Sequence, residues 1–492
     1  MHRRSTVAVL AVSLATLLPP DPVLGQGQAG TQQPPSTVGM VLKGKAPVSD
    51  AVLAVKLPRP QEATLANGLR VMVLEDHRLP RISFQLMIPG AGGYYDPAAQ
   101  VGLSGMTAQL MREGTTTKSS QQVSQALETM SASVNVFSGA SGPTATMSGN
   151  ALSENFPRLF ELAADVLLNP SFPADEWDRL KTRTRAGLTQ QRTQPQFLAQ
   201  ERFSKVVFGA HPASRVSATP ETLDAITRDA MVECHRTRFV PDHALIAFAG
   251  DITLAAARTL VESKLGAWKK AGAPKPPVAE PAPAGPTKGY LITRPGSVQT
   301  SFVVGAQSMT RTDPDYVPLT VANRVLGGPI GRLFRHLREE KGYTYGVGSI
   351  FSAPEYRGQW SASTSVRTEV TEPALNDLLA DIEAMRTAPV PEKELNDHKR
   401  AIVAGFALSL ESPEQLLGYY VQSWMYGLPA DYWDKYPALI SGVTAAQAQA
   451  AAAKYWDPSK LQIVAVGDAK ITEIMKKRGA LELYDADGKM TP

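Results

Sequence analysis

Alternating apolar and polar residues mark several short stretches of the chain as β-strands. Residues 69–76 (LRVMVLED) are an example, because the apolar residues Leu69, Val71 and Val73 recur there at every second position. Longer stretches, such as residues 176–191 and 392–409, are typical of helices. In each half, strand-like stretches come first, helical stretches follow, and a further strand closes the half. This order predicts an α+β fold.

The pattern of one half recurs in the other. Three pairs of matching positions share nearly one offset: 83 with 301 (SF in both) and 173 with 391 (Pro in both), each 218 apart, and 250 with 467 (GD in both), 217 apart. Unrelated matches would not share a register, so we infer that one unit has been duplicated.

A proline-rich segment, residues 271–288, separates the two copies. Its composition disfavours helix and sheet and favours an extended tether. We therefore predict an N-terminal domain over residues 56–270 and a C-terminal domain over residues 289–485.

The N-terminus has the layout of a secretory signal. Basic residues precede an apolar run of a dozen residues, Val7 to Leu18, followed by two prolines. This run is shorter than the roughly 20 residues of a membrane-spanning helix, and no other run is long enough. We predict a signal peptide over residues 1–25, a flexible leader over residues 26–55, and no stable membrane span.

Composition excludes several classes of protein. The formal net charge is +4 over 492 residues, and no basic block stands out, so nucleic acid is not an expected partner. A single cysteine, Cys234, excludes a disulfide framework within the chain. Its neighbour His235 would point about 100° away on a helix, which argues against a Cys/His catalytic pair.

The stretch from Val101 to Thr115 (VGLSGMTAQLMREGT) is helix-like in its first part. Leu103, Met106 and Leu110 form one apolar stripe. A second set of positions, spaced i, i+3 and i+4, holds Gly105, Ala108 and Gln109.

This stretch resembles the segment G-L-x-H-x-x-E-H-x-x-x-x-G-T of the pitrilysin/insulinase family of zinc peptidases (M16-like), at Gly102, Leu103, Gly114 and Thr115. In that family two histidines bind zinc, and the glutamate between them takes a proton from the bound water. Here Gly105, Ala108 and Gln109 stand at those positions. They form a degenerate metal site.

The family's third ligand, a glutamate, would fall near residues 183–187, and no acidic residue occurs between Asp178 and Glu201. No two of the seven histidines are three or four residues apart, the spacing that would place both on one face of a helix. We therefore expect no metal or other cofactor on this chain and no catalytic residue.

A second stretch of the family lies in the C-terminal half, over residues 326–349 (LGGPIGRLFRHLREEKGYTYGVGS). The apolar spacing predicts a helix that ends at Gly342, with a buried stripe of Ile330, Leu333, Phe334 and Leu337. Alternation over residues 343–348 predicts a strand. The block resembles the family's GG...RLF..LRE..G..Y segment.

In the family, an arginine and a tyrosine seven residues apart hydrogen-bond the substrate backbone, and the resemblance places these roles on Arg338 and Tyr345. The chemistry suits this role, because a guanidinium and a phenol both donate to carbonyl oxygens. The alternative is a solvated Arg338 and a Tyr345 that only packs on a sheet. Tyr343 is the neighbour most easily mistaken for Tyr345.

The resemblance spans about residues 56–485. It implies two homologous α/β sandwich domains, each an antiparallel-rich sheet with helices packed on it. It also implies a non-catalytic, substrate-binding subunit of an exported zinc peptidase, periplasmic if the source is Gram-negative and otherwise secreted. A homologous subunit with an intact H-x-x-E-H would supply zinc and general base, in a heterodimer or larger assembly.

Two other hypotheses remain open at this point. The chain could be a structural or peptide-binding protein of the same fold with no proteolytic role, or an autonomous peptidase with unusual ligands.

Overall fold

The computed structural model of the protein describes residues 51–491. The predicted signal peptide and residues 26–50 of the predicted leader lie outside the described residues. Two β-sheets, each with its own helices, make up the described part of the chain.

The first sheet is mixed. Its strands are β1 (Gln61–Thr64), β2 (Arg70–Glu75), β3 (Arg81–Pro89), β4 (Ser133–Phe137), β5 (Thr144–Leu152) and β6 (Leu245–Gly250). They lie in the order β1-β2-β6-β3-β5-β4, and only β2 and β6 pair in parallel. The helices of this half are α1 (Leu103–Leu110), α2 (Ser120–Thr129), α3 (Phe156–Leu168), α4 (Ala174–Arg192), α5 (Pro195–Phe208), α6 (Pro220–Ala225), α7 (Arg228–Arg238) and α8 (Leu254–Leu265).

The second sheet has the order β13-β12-β7-β11-β8-β10-β9. Its strands are β7 (Lys288–Thr293), β8 (Gln299–Gln307), β9 (Val347–Phe351), β10 (Gln359–Arg367), β11 (Gln462–Gly467), β12 (Leu481–Tyr484) and β13 (Met490–Thr491). The helices are α9 (Tyr316–Gly327), a π-helix (Phe334–Glu340), α10 (Thr371–Thr387), α11 (Glu392–Ser409), α12 (Pro413–Tyr426), α13 (Tyr432–Ser441), α14 (Ala445–Tyr455) and α15 (Thr472–Lys476). Short 3₁₀ turns cover Gly93–Tyr95, Ala98–Gln100, Met111–Glu113, Pro212–Ser214, Thr368–Val370 and Ala469–Ile471.

The two sheets repeat one topology. Five strands in the order β2-β6-β3-β5-β4 correspond to β7-β11-β8-β10-β9, with the same parallel and antiparallel neighbours. The registers agree as well, because Phe84 pairs with Phe248 in the first sheet and Phe302 pairs with Ala465 in the second. The predicted α+β fold with two similar halves is confirmed.

Each sheet is covered on one face by a helix from the other half. Helix α5 of the first half packs on β8 and β11, where Phe203 joins one buried cluster with Val464. Helix α12 of the second half packs on β6, where Val421 joins a cluster with Leu245. Such burial stabilises the structure by about 1.5–3 kcal/mol for each large aliphatic side chain.

This exchange of helices explains why β6 and β11 are buried along their whole length. Strands covered on both faces read as continuous apolar runs, as in LIAFAG and QIVAVG. It also joins the halves into a single compact unit that begins at Val52.

Residues 271–287 between the halves contain neither helix nor strand. Contacts with the first half hold them in place: the Tyr95 hydroxyl donates to the carbonyl of Pro276 (3.0 Å), and Nε2 of His211 lies 2.9 Å from the carbonyl oxygen of Ala279. No helix among residues 51–491 is both long and apolar enough to cross a bilayer.

Candidate functional site

Helix α1 begins at a buried network around Asp96. The carboxylate accepts hydrogen bonds from the backbone N–H groups of Gly102 and Ser104 (both 3.1 Å) and from the Ser104 hydroxyl (2.6 Å). Arg238 of α7 donates to the same carboxylate at 3.0 Å. Gly102 has a φ of 103°, a conformation that favours glycine. This network fixes the start of the helix where the sequence resembles the zinc motif.

The predicted apolar stripe of α1 is confirmed, because Leu103, Met106 and Leu110 are buried. The three degenerate positions differ in exposure. Ala108 is fully buried, Gly105 is partly exposed and Gln109 is exposed. The Gln109 side-chain amide donates to the carbonyl of Gly105 at 3.4 Å.

Helix α4 lies beside α1 at the point where the third ligand would be expected. The Thr184 hydroxyl lies 3.7 Å from the Met106 sulfur, which places residues 183–187 next to α1. The neighbouring charged groups of α4 are basic: Arg185 pairs with Asp224 of α6, and the amine of Lys181 lies 3.3 Å from the same carboxylate.

These residues do not fit a zinc ion. The side chains of Gly105 and Ala108 carry no atom that could bind zinc. The Gln109 amide is neutral and donates to the Gly105 carbonyl. The neighbouring stretch of α4 has cations instead of a carboxylate. Within residues 51–491 no group of three or more His, Cys, Asp or Glu side chains has an arrangement that could hold a metal.

The helix predicted before Gly342 is shorter than expected, and one residue predicted to lie in its buried stripe is exposed. Leu333 and Leu337 are fully buried and Phe334 is partly buried, but Ile330 is 64% exposed. The backbone N–H of Gly331 donates to the carbonyl of Gly328 (2.8 Å), so a turn occupies residues 328–331 and the helix starts only after it. Ile330 therefore lies outside the helix.

The strand predicted over residues 343–348 begins only at Val347. Before it, the Thr344 hydroxyl accepts a hydrogen bond from the backbone N–H of Gly346 (3.1 Å) and one from the Thr364 hydroxyl (2.9 Å). These side-chain hydrogen bonds replace the strand ladder, so the Tyr343–Gly346 segment is irregular.

Arg338 and Tyr345 meet in the structure. Nη1 of Arg338 donates to the backbone carbonyl of Tyr345 at 2.6 Å, and the guanidinium carbon lies 4.9 Å from the centre of the Phe334 ring. The Tyr345 residue is 90% exposed. Arg338 thus holds the backbone of the segment from which Tyr345 projects into solvent.

Arg338 belongs to a π-helix, a rare form that is frequent at functional sites. Ion pairs anchor this helix: Arg335 within it and Arg332 just before it both reach Glu394 of α11 at 2.8 Å. Burial alone would raise the pKa of the Glu394 carboxyl, but hydrogen bonds and charge from the two arginines outweigh burial and lower the pKa. Sequence reasoning missed Glu394, because nothing in its spacing connects it to Arg332 and Arg335, which lie 62 and 59 positions away.

A cavity of about 500 Å³ opens beside Tyr345, between α5 of the first half and strands β8 and β10 of the second. We call it the amide–hydroxyl cleft, after the six side chains Gln196, Gln200, Gln299, Ser301, Ser363 and Ser365 that contribute to its lining. Sequence reasoning missed this cleft, because its residues are far apart along the chain.

Comparison with known families matches two consecutive parts of the chain. Residues 70–221 match the family described as insulinase (peptidase family M16), and residues 225–402 match the peptidase M16 inactive domain. Curated relatives include the uncharacterized zinc protease YmxG of Bacillus subtilis, 23% identical over 71% of this chain and 84% of its own length. Another is the uncharacterized zinc protease Rv2782c of Mycobacterium tuberculosis, 24% identical over 72% of this chain and 80% of its own.

Solved structures show the same fold. A peptidase M16 inactive domain from Pseudomonas fluorescens superposes with a TM-score of 0.77 and 28% identity, over 83% of this chain and 98% of its own. A protease from Helicobacter pylori gives a TM-score of 0.76 with 15% identity, over 83% of this chain and 100% of its own. The periplasmic protease PqqL of Escherichia coli gives 0.71 with 16% identity, over 87% of this chain and 48% of its own.

Proposed function

The chain belongs to peptidase family M16, the insulinase family, and we propose that it is the non-catalytic, substrate-binding subunit of a heteromeric exported zinc peptidase. The partner in this proposal is a homologous subunit with an intact H-x-x-E-H, which supplies the zinc ion and the general base. The substrates are peptides.

The observation that carries this proposal is the contrast between the two halves. Helix α1 presents Gly105, Ala108 and Gln109 where a zinc peptidase of the family needs ligands and base. The second half keeps Arg338 and Tyr345 at the positions of the family's substrate-binding pair, in contact with each other. The second feature without the first suits a chain that holds substrate beside a subunit that has the metal.

The geometry of the pair suits a peptide backbone. The bond to the Tyr345 carbonyl uses one of the five N–H donors of Arg338, and the others can donate to substrate carbonyl oxygens. The exposed Tyr345 hydroxyl adds one more donor where negative charge develops on a carbonyl oxygen during peptide cleavage.

Export enters the proposal through the apolar run near the N-terminus, which lies outside the described residues. In a Gram-negative source the assembly would be periplasmic, and in other sources it would be secreted.

The alternative is a structural or peptide-binding protein of the same fold with no proteolytic role. Arg338 and Tyr345 argue against it, because a purely structural role does not explain a tyrosine that is 90% exposed.

Substitution of the pair in the assembled complex tests the proposal. We expect Arg338→Ala and Tyr345→Phe each to lower kcat/KM for a peptide by a factor of about 10²–10³, the equivalent of losing one oxyanion donor (about 2.7–4 kcal/mol). Turnover is measured with a quenched fluorescent peptide and the partner subunit in excess.

Two variants of the same segment serve as controls. Tyr343→Phe removes a hydroxyl two residues from Tyr345, and Lys341→Ala removes a cation from the end of the helix that holds Arg338. Both should keep turnover within about twofold. If Arg338→Ala and Tyr345→Phe behave like these controls, the substrate-binding role is wrong.

A further inference from the structure

The amide–hydroxyl cleft lies directly beside Tyr345, which forms part of its lining. All polar side chains that line it are amides, hydroxyls or the Tyr345 phenol, and none carries a formal charge at neutral pH. Ligand pockets of proteins usually measure about 300–1,000 Å³, so a cavity of about 500 Å³ can hold a short stretch of peptide.

Both halves of the chain build the cleft, and hydrogen bonds fix its walls. The Ser301 and Ser365 hydroxyls lie 2.8 Å apart, and the Gln196 amide of α5 donates to the Ser365 hydroxyl at 3.2 Å. Buried Val303 and Ala199, which belong to one apolar cluster, close the base. The shape of the cleft is therefore set by the packing of α5 on the second sheet.

Charged residues occur nearby, but they do not line the cleft. Glu201 follows Gln200 in the sequence but is not among the lining residues. Its carboxylate forms ion pairs with Arg192 (3.4 Å) and Lys205 (3.3 Å). Arg367 lies opposite Gln299 in the register of β8 and β10, outside the lining. The Arg338 guanidinium, which donates to the Tyr345 carbonyl at 2.6 Å, lies behind that residue and is not part of the lining either.

We propose that the amide–hydroxyl cleft binds an uncharged polar stretch of the peptide substrate, next to the residue held at Tyr345. This inference rests on the proposed function and adds a substrate class to it. The cleft prefers peptides whose bound stretch is rich in glutamine, asparagine, serine or threonine. It disfavours peptides with acidic or basic residues in that stretch.

The chemistry follows from the lining. Glutamine amides and serine hydroxyls donate and accept, so they can pair with backbone N–H and C=O groups and with neutral polar side chains. A carboxylate or ammonium in the cleft would lose hydration without meeting an opposite charge, which is costly. The cleft therefore discriminates by charge.

Binding of three labelled peptides to the full chain tests this inference. The peptides share their flanks and differ in a central stretch made of Gln and Ser, of Glu and Ser, or of Lys and Ser. Fluorescence anisotropy should show that the wild-type chain binds the Gln/Ser peptide about tenfold more tightly than either charged peptide.

A charge placed in the cleft should change this order. Ser363→Asp puts a carboxylate on one wall, and Gln200→Glu puts one on the other wall with almost no change of shape. Each should tighten binding of the Lys/Ser peptide by about tenfold and weaken that of the Glu/Ser peptide. Because the two variants lie on different elements, a folding defect in one leaves the other as a test.

Ser148→Asp is the matched control. Ser148 lies on β5 at the position that corresponds to Ser363 on β10, because Gly149 pairs with Phe84 as Thr364 pairs with Phe302. The same charge in the first half should leave the order of the three peptides unchanged.

Equal binding of all three peptides by the wild-type chain, or no change of order in Ser363→Asp and Gln200→Glu, would overturn the inference. If Arg338→Ala still lowers turnover of the complex in that case, the proposed function stands without it. If no peptide binds and turnover does not depend on Arg338, both fail together.

Discussion

Cys234 and His235 are neighbours on α7 whose side chains make separate contacts. The Cys234 sulfur is buried, 3.9 Å from the Ser104 hydroxyl. Nε2 of His235 lies 2.7 Å from the carbonyl oxygen of Leu167, and the ring packs against Phe172 and Phe239. The two side chains thus face different partners, as their separation of about 100° on a helix predicted.

The protonation of His235 should make stability depend on pH. Burial lowers the pKa of His235 below its ordinary 6.5, although the hydrogen bond to Leu167 opposes this effect. Below pH 6.5 the unfolded chain therefore takes up this proton while the folded chain does not. The free energy of unfolding is expected to be at its full value above that pH and to fall as the pH drops toward the folded-state pKa, by at most about 1.4 kcal/mol per pH unit.

Urea denaturation of the wild type and of His235→Gln between about pH 5 and pH 8 measures this effect. The glutamine amide can still donate to Leu167 but does not titrate. Other groups titrate too, and Asp251 raises the pKa of His77, so the difference between the two pH profiles is the quantity to compare. Parallel profiles would show that His235 does not contribute.

At the scale of elements, the packing of α5 on the second sheet requires a glycine in β8. A Cβ atom on Gly305 of β8 would lie 2.1 Å from the carbonyl oxygen of Trp360 and 2.6 Å from the Phe203 ring. Phe203 is fully buried, so neither the strand nor the helix has room to move. The position accepts no side chain.

We expect Gly305→Ala to lower the free energy of unfolding by about 1–3 kcal/mol, because overpacking a filled core forces its neighbours apart. Gly405→Ala on the exposed side of α11 is the control, since nothing lies within 4 Å of its Cβ position. That change should stabilise the chain by up to about 1 kcal/mol. Equal urea midpoints for the two variants would contradict this account of the packing.

The alternation of apolar residues and the offset between matching positions were enough to predict strand β2 and the duplication. They could not show which sheet a helix covers: the apolar face of α5 looks the same whether Phe203 packs on its own sheet or on the other. The same limit hid the cleft, because Gln196 and Ser365 come together only through that packing. The prediction that Ile330 is buried was wrong because its spacing fits the apolar stripe of the helix, but a turn at residues 328–331 places it before the helix begins.

At the scale of the whole molecule, the two halves have one topology and different chemistry. The first half keeps the helix of a zinc site, with its start fixed by Asp96, but not the ligands. The second half keeps Arg338 on an anchored π-helix and Tyr345 in the irregular segment that Arg338 holds. The exchange of α5 and α12 fixes these two surfaces within one compact unit. In the function that we propose, a partner that carries the metal completes this division.

Peptide hydrolysis by the purified chain in the presence of zinc, alone and together with an H-x-x-E-H-bearing homologue from the same genome, tests this account most directly. We predict no cleavage by the chain alone. We also predict that its addition raises the cleavage rate of the homologue by about 10² or more, because one subunit lacks the metal and the other gains the substrate-binding pair. Two results would contradict the account. One is cleavage by this chain alone that a chelator abolishes, and the other is a homologue whose cleavage rate does not change when this chain is added.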